Sequence, residues 1–97
     1  MIDLAPRHLD MVKAILAEHV PDCEVRVFGS RIRGTAKPYS DLDLVVVGPE
    51  KLPRDRIRLL AEAFEESTLP MRVEAQDWHA ISPEFQAVIE EKFEVLQ

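Results

Sequence analysis

Two aspartates separated by one residue, Asp41 and Asp43, open an apolar segment near the middle of the 97-residue chain. In an extended strand, residues two apart point to the same face, about 6.6 Å apart along the chain. Two negative charges at that separation repel each other by roughly 2–3 kcal/mol at an effective dielectric constant of about 20. A divalent cation relieves such repulsion, and carboxylate ligands without a His or Cys cluster favour Mg²⁺, or Mn²⁺ as an alternative ion, over zinc. The pair therefore predicts a site for two Mg²⁺ ions, although an isolated Asp-x-Asp is also common at ordinary loop-to-strand junctions.

A Gly-Ser pair upstream makes the metal interpretation more specific. Gly29 lets the backbone approach a ligand closely, and Ser30 begins a helical turn whose free N–H groups favour phosphate oxygens. Arg31 and Arg33 add positive charge for the β- and γ-phosphates. The spacing is not that of a Walker-type phosphate loop. Together the motifs predict a phosphate-binding turn that faces metal-binding carboxylates, an arrangement that suits a reaction of a nucleoside triphosphate.

The hydrophobic pattern indicates which elements must position these motifs. Helical periodicity predicts helices over about 5–19 and 54–67 and from residue 83, with a helical turn over 30–34. Strand-like runs predict strands over 25–28, 42–47 and 71–76, and residues 35–40 are predicted to form a loop. Ser82 is predicted to be the N-cap of the last helix, with Pro83 at its first position. The order helix, strand, strand, helix, strand, helix predicts one α+β domain over residues 1–97, with helices packed on one face of a small mixed sheet.

A third carboxylate near the aspartates would come from the last predicted strand, where Glu74 and Asp77 are the candidates. Met71, Val73 and Ala75 share one face of that strand, so Glu74 lies on the other face. If the apolar face meets the helices, Glu74 is on the open face of the sheet. Asp77 has the opposite parity and lies where the strand ends, which favours a turn or capping role. We expect Glu74 to be the third carboxylate, with Asp77 as the alternative.

Composition limits the classes of function. The formal net charge of -6 argues against direct nucleic-acid binding, which needs a basic surface, although residues 26–37 form a local basic stretch that suits a triphosphate. The single cysteine fits a reducing compartment, and neither a signal segment nor an apolar run of about 18 residues is present. We therefore expect a cytoplasmic protein without membrane association, too short to carry its own acceptor domain.

The spacing Gly29-Ser30-x10-Asp41-x-Asp43 resembles the signature of the DNA polymerase β-like nucleotidyltransferase superfamily. In its length and in residues 40–44 and 77–85, the chain looks like the minimal nucleotidyltransferases (MNT domains). Those proteins are commonly the antitoxin partners of HEPN-domain ribonuclease toxins. The resemblance covers essentially the whole chain and implies the polymerase β-like nucleotidyltransferase fold.

The resemblance also implies a reaction. AMP would be transferred from ATP to a hydroxyl, a tyrosine of a HEPN toxin, by the antitoxin of a type VII-like toxin–antitoxin pair. Asp41, Asp43 and the third carboxylate would hold two metal ions, Gly29 and Ser30 would hold the phosphates, and pyrophosphate would leave. The third carboxylate departs from the family pattern, because aspartate is usual there and this chain has Glu74. That departure keeps open a non-catalytic antitoxin that acts by binding; a small-molecule nucleotidyltransferase subunit is the remaining alternative and would need a further domain.

Overall fold

The computed structural model describes residues 2–97 and shows helices packed against a four-stranded sheet. In chain order the elements are α1 (Pro6–His19), β1 (Glu24–Phe28), α2 (Ser30–Arg33), β2 (Leu42–Val47), α3 (Arg54–Glu66), β3 (Val73–Asp77), a 3₁₀ turn (Trp78–Ala80), α4 (Pro83–Glu91) and β4 (Glu94–Val95). Prolines begin α1 and α4, where the missing N–H group has no helical partner to lose. The α+β class predicted from the element order is confirmed.

The sheet is mixed, with the strand order β3-β2-β1-β4. β1 is antiparallel to β2 and to β4, whereas β2 and β3 are parallel. The chain returns from the end of β2 to the start of β3 through α3, the helical crossover that a parallel pair requires. As a result, the start of β2 lies between the end of β1 and the start of β3.

The two long helices cover one face of this sheet, as predicted. Val25 and Val27 of β1 are fully buried, and so are the β2 residues of matching parity. They join one apolar cluster with Val12 and Leu16 of α1 and with Leu60 of α3. Full burial of each such side chain is worth about 1.5–3 kcal/mol, so this layer supplies most of the driving force that holds the strands in register.

The opposite face carries the alternate residues of β1 and is covered only in part. Phe28 meets Phe85 of α4 edge to face, with ring centroids 5.6 Å apart. The Arg26 guanidinium lies over the rings of Trp78 and Phe93, at 5.2 and 4.5 Å from their centroids. α4 therefore reaches the face opposite to α1 and α3. Beyond Phe28, this face is formed by the first residues of β2 and β3.

Local signals predicted most element boundaries. The predicted limits of β2 agree with the structure, and Ser82 caps α4 by accepting a hydrogen bond from Phe85 N at 3.1 Å. β3 begins two residues later than predicted, and β4 and the 3₁₀ turn were not predicted at all. β4 has only two residues, and its pairing with Arg26 and Val27 is distant in sequence, so no local pattern marks it. Among residues 2–97, no helix combines the length and apolarity needed to cross a membrane.

Candidate active site

Two of the three predicted carboxylates are direct neighbours across the parallel strand pair. Asp43 of β2 lies opposite Glu74 of β3, and Phe28 at the end of β1 lies opposite Asp43 on the other side. Directly opposite residues share a face of the sheet, so Asp43 and Glu74 project from the same face, away from α1 and α3. The placement of Glu74 that strand parity predicted is therefore confirmed.

Gly29 brings the Gly-Ser motif against this pair. Its φ of +83° is a conformation that glycine adopts freely. A Cβ atom added at this position would lie 2.5 Å from Asp43 Oδ2, so the absence of a side chain is what allows the carboxylate to lie against the turn. Gly29 is also the N-cap residue of α2, which begins at Ser30. The two halves of the sequence motif, which ten residues separate, thus meet at one point.

The electrostatic environment couples the three carboxylates. Burial raises the pKa of Asp43, and the negative charges of Glu74 and Asp41 raise it further, whereas the positive charge of Arg72 opposes them. Among residues 2–97, no three His, Cys, Asp or Glu side chains are gathered closely enough to hold a metal ion in this conformation. The donor chemistry nevertheless fits a hard divalent cation, because a cation would remove the repulsion that disfavours ionised Asp43.

Asp77 is the alternative third carboxylate, and the structure places it elsewhere. It lies opposite Val46, three residues further along β2 than Asp43. Its carboxylate is 7% exposed and accepts hydrogen bonds from Leu52 N at 2.8 Å and His79 N at 3.0 Å. Asp77 therefore caps the 3₁₀ turn and anchors the loop before α3, the capping role predicted from its position at the strand end.

Arg31 is where the structure departs most from the predicted site. Its charge was predicted to serve the triphosphate, but the side chain is buried and its guanidinium donates hydrogen bonds to backbone carbonyls of Asp3, Pro38 and Ser40. With these bonds in place, the side chain does not reach out to a phosphate on the solvent side. Arg33 in the last turn of α2 is exposed and is free of this constraint.

Two functional features lay outside the sequence-based prediction. Arg72 was given no role by the sequence, yet its positive charge opposes the rise in the pKa of Asp43. Its carbonyl also accepts a hydrogen bond of 2.9 Å from Leu42 N, between the two aspartates. The second feature is the buried contact of Arg31 with the loop. Strand parity was a usable signal for Arg72, whereas nothing in the local pattern distinguishes Arg31 from Arg33.

Fold and site together define a nucleotidyltransferase. The family model described as "Nucleotidyltransferase domain" matches residues 9–96, and the chain belongs to this family. Over 99 aligned residues it is 44% identical to the probable protein adenylyltransferase MntA of Haemophilus influenzae, covering 99% of this chain and 84% of that protein.

Solved structures share the fold. One is a crystal structure of a toxin–antitoxin with AMP-PNP, with a TM-score of 0.77 and 22% identity over 92% of this chain and 72% of that chain. Another is the tri-AMPylated Shewanella oneidensis HEPN toxin in complex with MNT antitoxin, with a TM-score of 0.69 and 18% identity over 94% of this chain and 70% of that one. At these identities the likeness extends to the fold alone.

Proposed function

We propose that residues 1–97 act as a single minimal nucleotidyltransferase domain that transfers AMP from ATP to a tyrosine hydroxyl of a HEPN-domain toxin. The transfer requires Mg²⁺, takes place in the cytoplasm and makes the protein the antitoxin of a type VII-like toxin–antitoxin pair. The observation that carries the proposal is the meeting of Gly29, Asp43 and Glu74 at one edge of the exposed sheet face. The relative from Haemophilus influenzae supports the choice of a protein as acceptor.

Each part of the site has a defined task in this proposal. The turn at Gly29 and Ser30 holds the phosphates of ATP, and exposed Arg33 pairs with the triphosphate tail. Asp41, Asp43 and Glu74 hold two Mg²⁺ ions. When bound, these ions neutralise the triphosphate and stabilise the charge on the attacking and leaving oxygens. Arg31 has no phosphate contact in this scheme.

The reaction is a displacement at the α-phosphorus of ATP. The oxygen of the acceptor hydroxyl forms a bond to that phosphorus, and the bond between the phosphorus and the bridging oxygen of pyrophosphate breaks. The hydroxyl proton passes to a carboxylate oxygen of Glu74, and pyrophosphate carries the bonding electron pair away.

The proposal is tested by incubating the purified protein with α-labelled ATP, Mg²⁺ and a purified HEPN-domain toxin. The label is expected on that protein, at a tyrosine identified by mass spectrometry. Asp41→Asn/Asp43→Asn should abolish labelling, while Arg58→Gln, which removes a charge from the exposed side of α3, should leave it unchanged. Absence of transfer by the native protein would refute the catalytic proposal.

A second function is favoured by one observation: glutamate stands at position 74, where the family pattern has aspartate. In this alternative the protein neutralises the toxin by binding alone, using its acidic surface against a basic ribonuclease groove. Co-expression with the toxin separates the two functions. The Asp41→Asn/Asp43→Asn variant protects cells only if binding is sufficient, provided that the variant still co-purifies with the toxin.

A further inference from the structure

Arg31 makes an unusual set of contacts for a charged side chain. It is only 5% exposed. Its Nε and Nη2 atoms donate to Ser40 O at 3.1 and 2.7 Å, and Nη2 also donates to Pro38 O at 3.2 Å. Nη1 donates to Asp3 O at 2.8 Å. One planar guanidinium therefore joins three backbone carbonyls from two separate segments of the chain.

The first of these segments leads directly into the carboxylate pair. A tight turn over residues 37–40 is closed by Ser40 N, which donates to Lys37 O at 3.0 Å, and by Lys37 N, which donates to Ser40 Oγ at 2.8 Å. The peptide bond after Ser40 is planar, so holding Ser40 O from two nitrogens also limits the orientation of the amide of Asp41. The next backbone amide, Leu42 N, is held by Arg72 O. Asp41 is thus fixed from both sides, on one side by Arg31.

The second segment ties the chain before α1 to the phosphate turn. Asp3 N donates to Arg31 O at 2.7 Å while the Arg31 side chain donates to Asp3 O, so the two residues are joined in both directions. Arg31 itself lies in α2, two residues after Gly29. The phosphate turn, the loop before Asp41 and residue 3 therefore form one unit centred on a single side chain, which we call the Arg31 clamp.

We propose that Arg31 is a positioning residue that sets Asp41 relative to Asp43, holding the loop over residues 35–40 so that both carboxylates can share the metal ions. This inference rests on the proposed function, because it assigns Asp41 to the metal site. Arg31 itself contacts neither ATP nor the acceptor. Its role depends on the geometry of the guanidinium as well as on its charge, since one ammonium group cannot reproduce a planar set of donors to three carbonyls.

The test compares Arg31→Lys and Arg31→Gln with Arg58→Lys and Arg58→Gln in the intact chain. Three quantities are measured: hydrogen exchange of the backbone amides, Mn²⁺ binding followed by electron paramagnetic resonance, and kcat and KM for ATP in AMP transfer. Arg58 is exposed and forms ion pairs with Asp55 and Glu62 of its own helix, so its variants control for the loss or shortening of an arginine.

Both Arg31 variants are expected to exchange faster at residues 35–42 by about tenfold, while the amides of α3 and β1 keep their protection. The Mn²⁺ dissociation constant should rise by about tenfold. In transfer, kcat should fall by roughly 10- to 100-fold, as expected for a small misplacement of a catalytic group, with a smaller change in KM for ATP. Arg31→Lys should resemble Arg31→Gln rather than the native protein.

Native behaviour of Arg31→Lys in all three measurements would overturn the geometric role, because charge alone would then suffice. Loss of protection throughout the molecule in both variants would also overturn it, since Arg31 would then be a residue on which the whole fold depends. If the native protein transfers no AMP, the proposed function fails, but hydrogen exchange and Mn²⁺ binding still decide whether Arg31 positions Asp41. Unchanged Mn²⁺ affinity in both variants would refute the clamp.

Discussion

Asp43 has three neighbours that explain why this position carries an aspartate. Gly29 leaves room for its carboxylate, Glu74 lies opposite it on β3, and Arg72 supplies a nearby positive charge. The carboxylate is destabilised by partial burial and by like charges, which raise its pKa. Because ionising Asp43 costs free energy in the folded protein, its charge does not stabilise the fold. An aspartate at this position is better explained by a ligand that binds the charged form.

At the residue scale, Glu74 and Asp77 provide a matched pair of substitutions. Glu74→Gln is expected to lower AMP transfer by about 10²-fold or more, the usual size of an acid–base contribution. It should not lower the free energy of unfolding, because losing this charge removes a repulsion on Asp43. Asp77→Asn is expected to lower the free energy of unfolding by about 1–3 kcal/mol, because an amide replaces one acceptor of a buried network. Transfer per folded molecule should then stay at the native level. Urea titration and the labelled-ATP assay check both; equal loss of transfer in the two variants would contradict the assignment of Glu74.

The raised pKa of Asp43 predicts a dependence of stability on pH. Folding makes Asp43 a weaker acid, so the stability that this contributes is complete below the pKa of the unfolded chain and is lost as the pH rises through the folded-state pKa. Metal-free Asp43→Asn should therefore melt a few degrees above the native protein at pH 7, and the difference should shrink towards pH 4. Mg²⁺ should raise the melting temperature of the native protein but not that of Asp43→Asn. Thermal unfolding with EDTA or Mg²⁺ measures this, with Asp10→Asn on the exposed side of α1 as control.

At the element scale, α2 is a four-residue helix that works as a connector. It begins directly after β1 and ends at Gly34, whose left-handed φ of +75° turns the chain towards the loop before β2. A helix this short gains little from its own hydrogen bonds. Its position depends on Ile32, which is buried in the core, and on the contacts of Arg31. The turn at Gly29 and Ser30 is therefore held by tertiary contacts rather than by helix propensity.

Alanine substitutions of the two glycines that flank α2 distinguish the effect of backbone strain from the effect of a steric clash. Both have positive φ, so alanine at either site costs roughly 1–2 kcal/mol in conformational strain. Only Gly29→Ala also places a Cβ against Asp43 Oδ2; the space around Gly34 is open. We expect Gly34→Ala to lose stability but to retain AMP transfer and Mn²⁺ binding, and Gly29→Ala to lose all three. Retention of Mn²⁺ binding by Gly29→Ala would show that the close approach to Asp43 is dispensable.

At the scale of the whole molecule, the layer of α1 and α3 lies on one side of the sheet and the carboxylates lie on the other. The core cluster is continuous from Val12 in α1 through the strands to Phe64 in α3. Arg56 of α3 adds a polar link, because it pairs with Asp22 and donates to His19 O. The helices α1 and α3 thus pack away from the carboxylates, although Val45 and Phe28 bury part of the carboxylate face as well. This arrangement lets the site keep mutually repelling charges while the core holds the strands in register.

Adjacent leucines of α3 test this division. Leu60 is fully buried, whereas Leu59 is 45% exposed. Leu60→Ala is expected to lower the free energy of unfolding by about 2–5 kcal/mol, through lost burial and the cavity that remains. Leu59→Ala should change it by less than about 1 kcal/mol. Urea denaturation of the two variants gives the comparison, and similar losses in both would mean that α3 does not pack as described.

Much of the candidate site could be predicted from the sequence because it depends on local rules. Strand periodicity of two predicted the face of Asp43 and Glu74, whereas Asp41 lies just before β2. The proximity of Gly-Ser to Asp-x-Asp suggested a triphosphate site. The capping role of Asp77 followed from its place at a strand end. Helix and strand periodicities also determined the α+β class, because they state which side of each element is buried.

Only the tertiary structure decided how these pieces meet. The register that sets Glu74 beside Asp43, the pairing of β4 with β1 and the partners of Arg31 all join residues distant along the chain. Such pairings depend on how the elements pack, which no local pattern records. Arg31 and Arg33 illustrate this: in sequence they are equivalent basic residues of one helical turn, yet one is buried in a clamp and the other is exposed. The sequence determined the chemistry that the chain can offer, and packing decided which side chains are free to perform it.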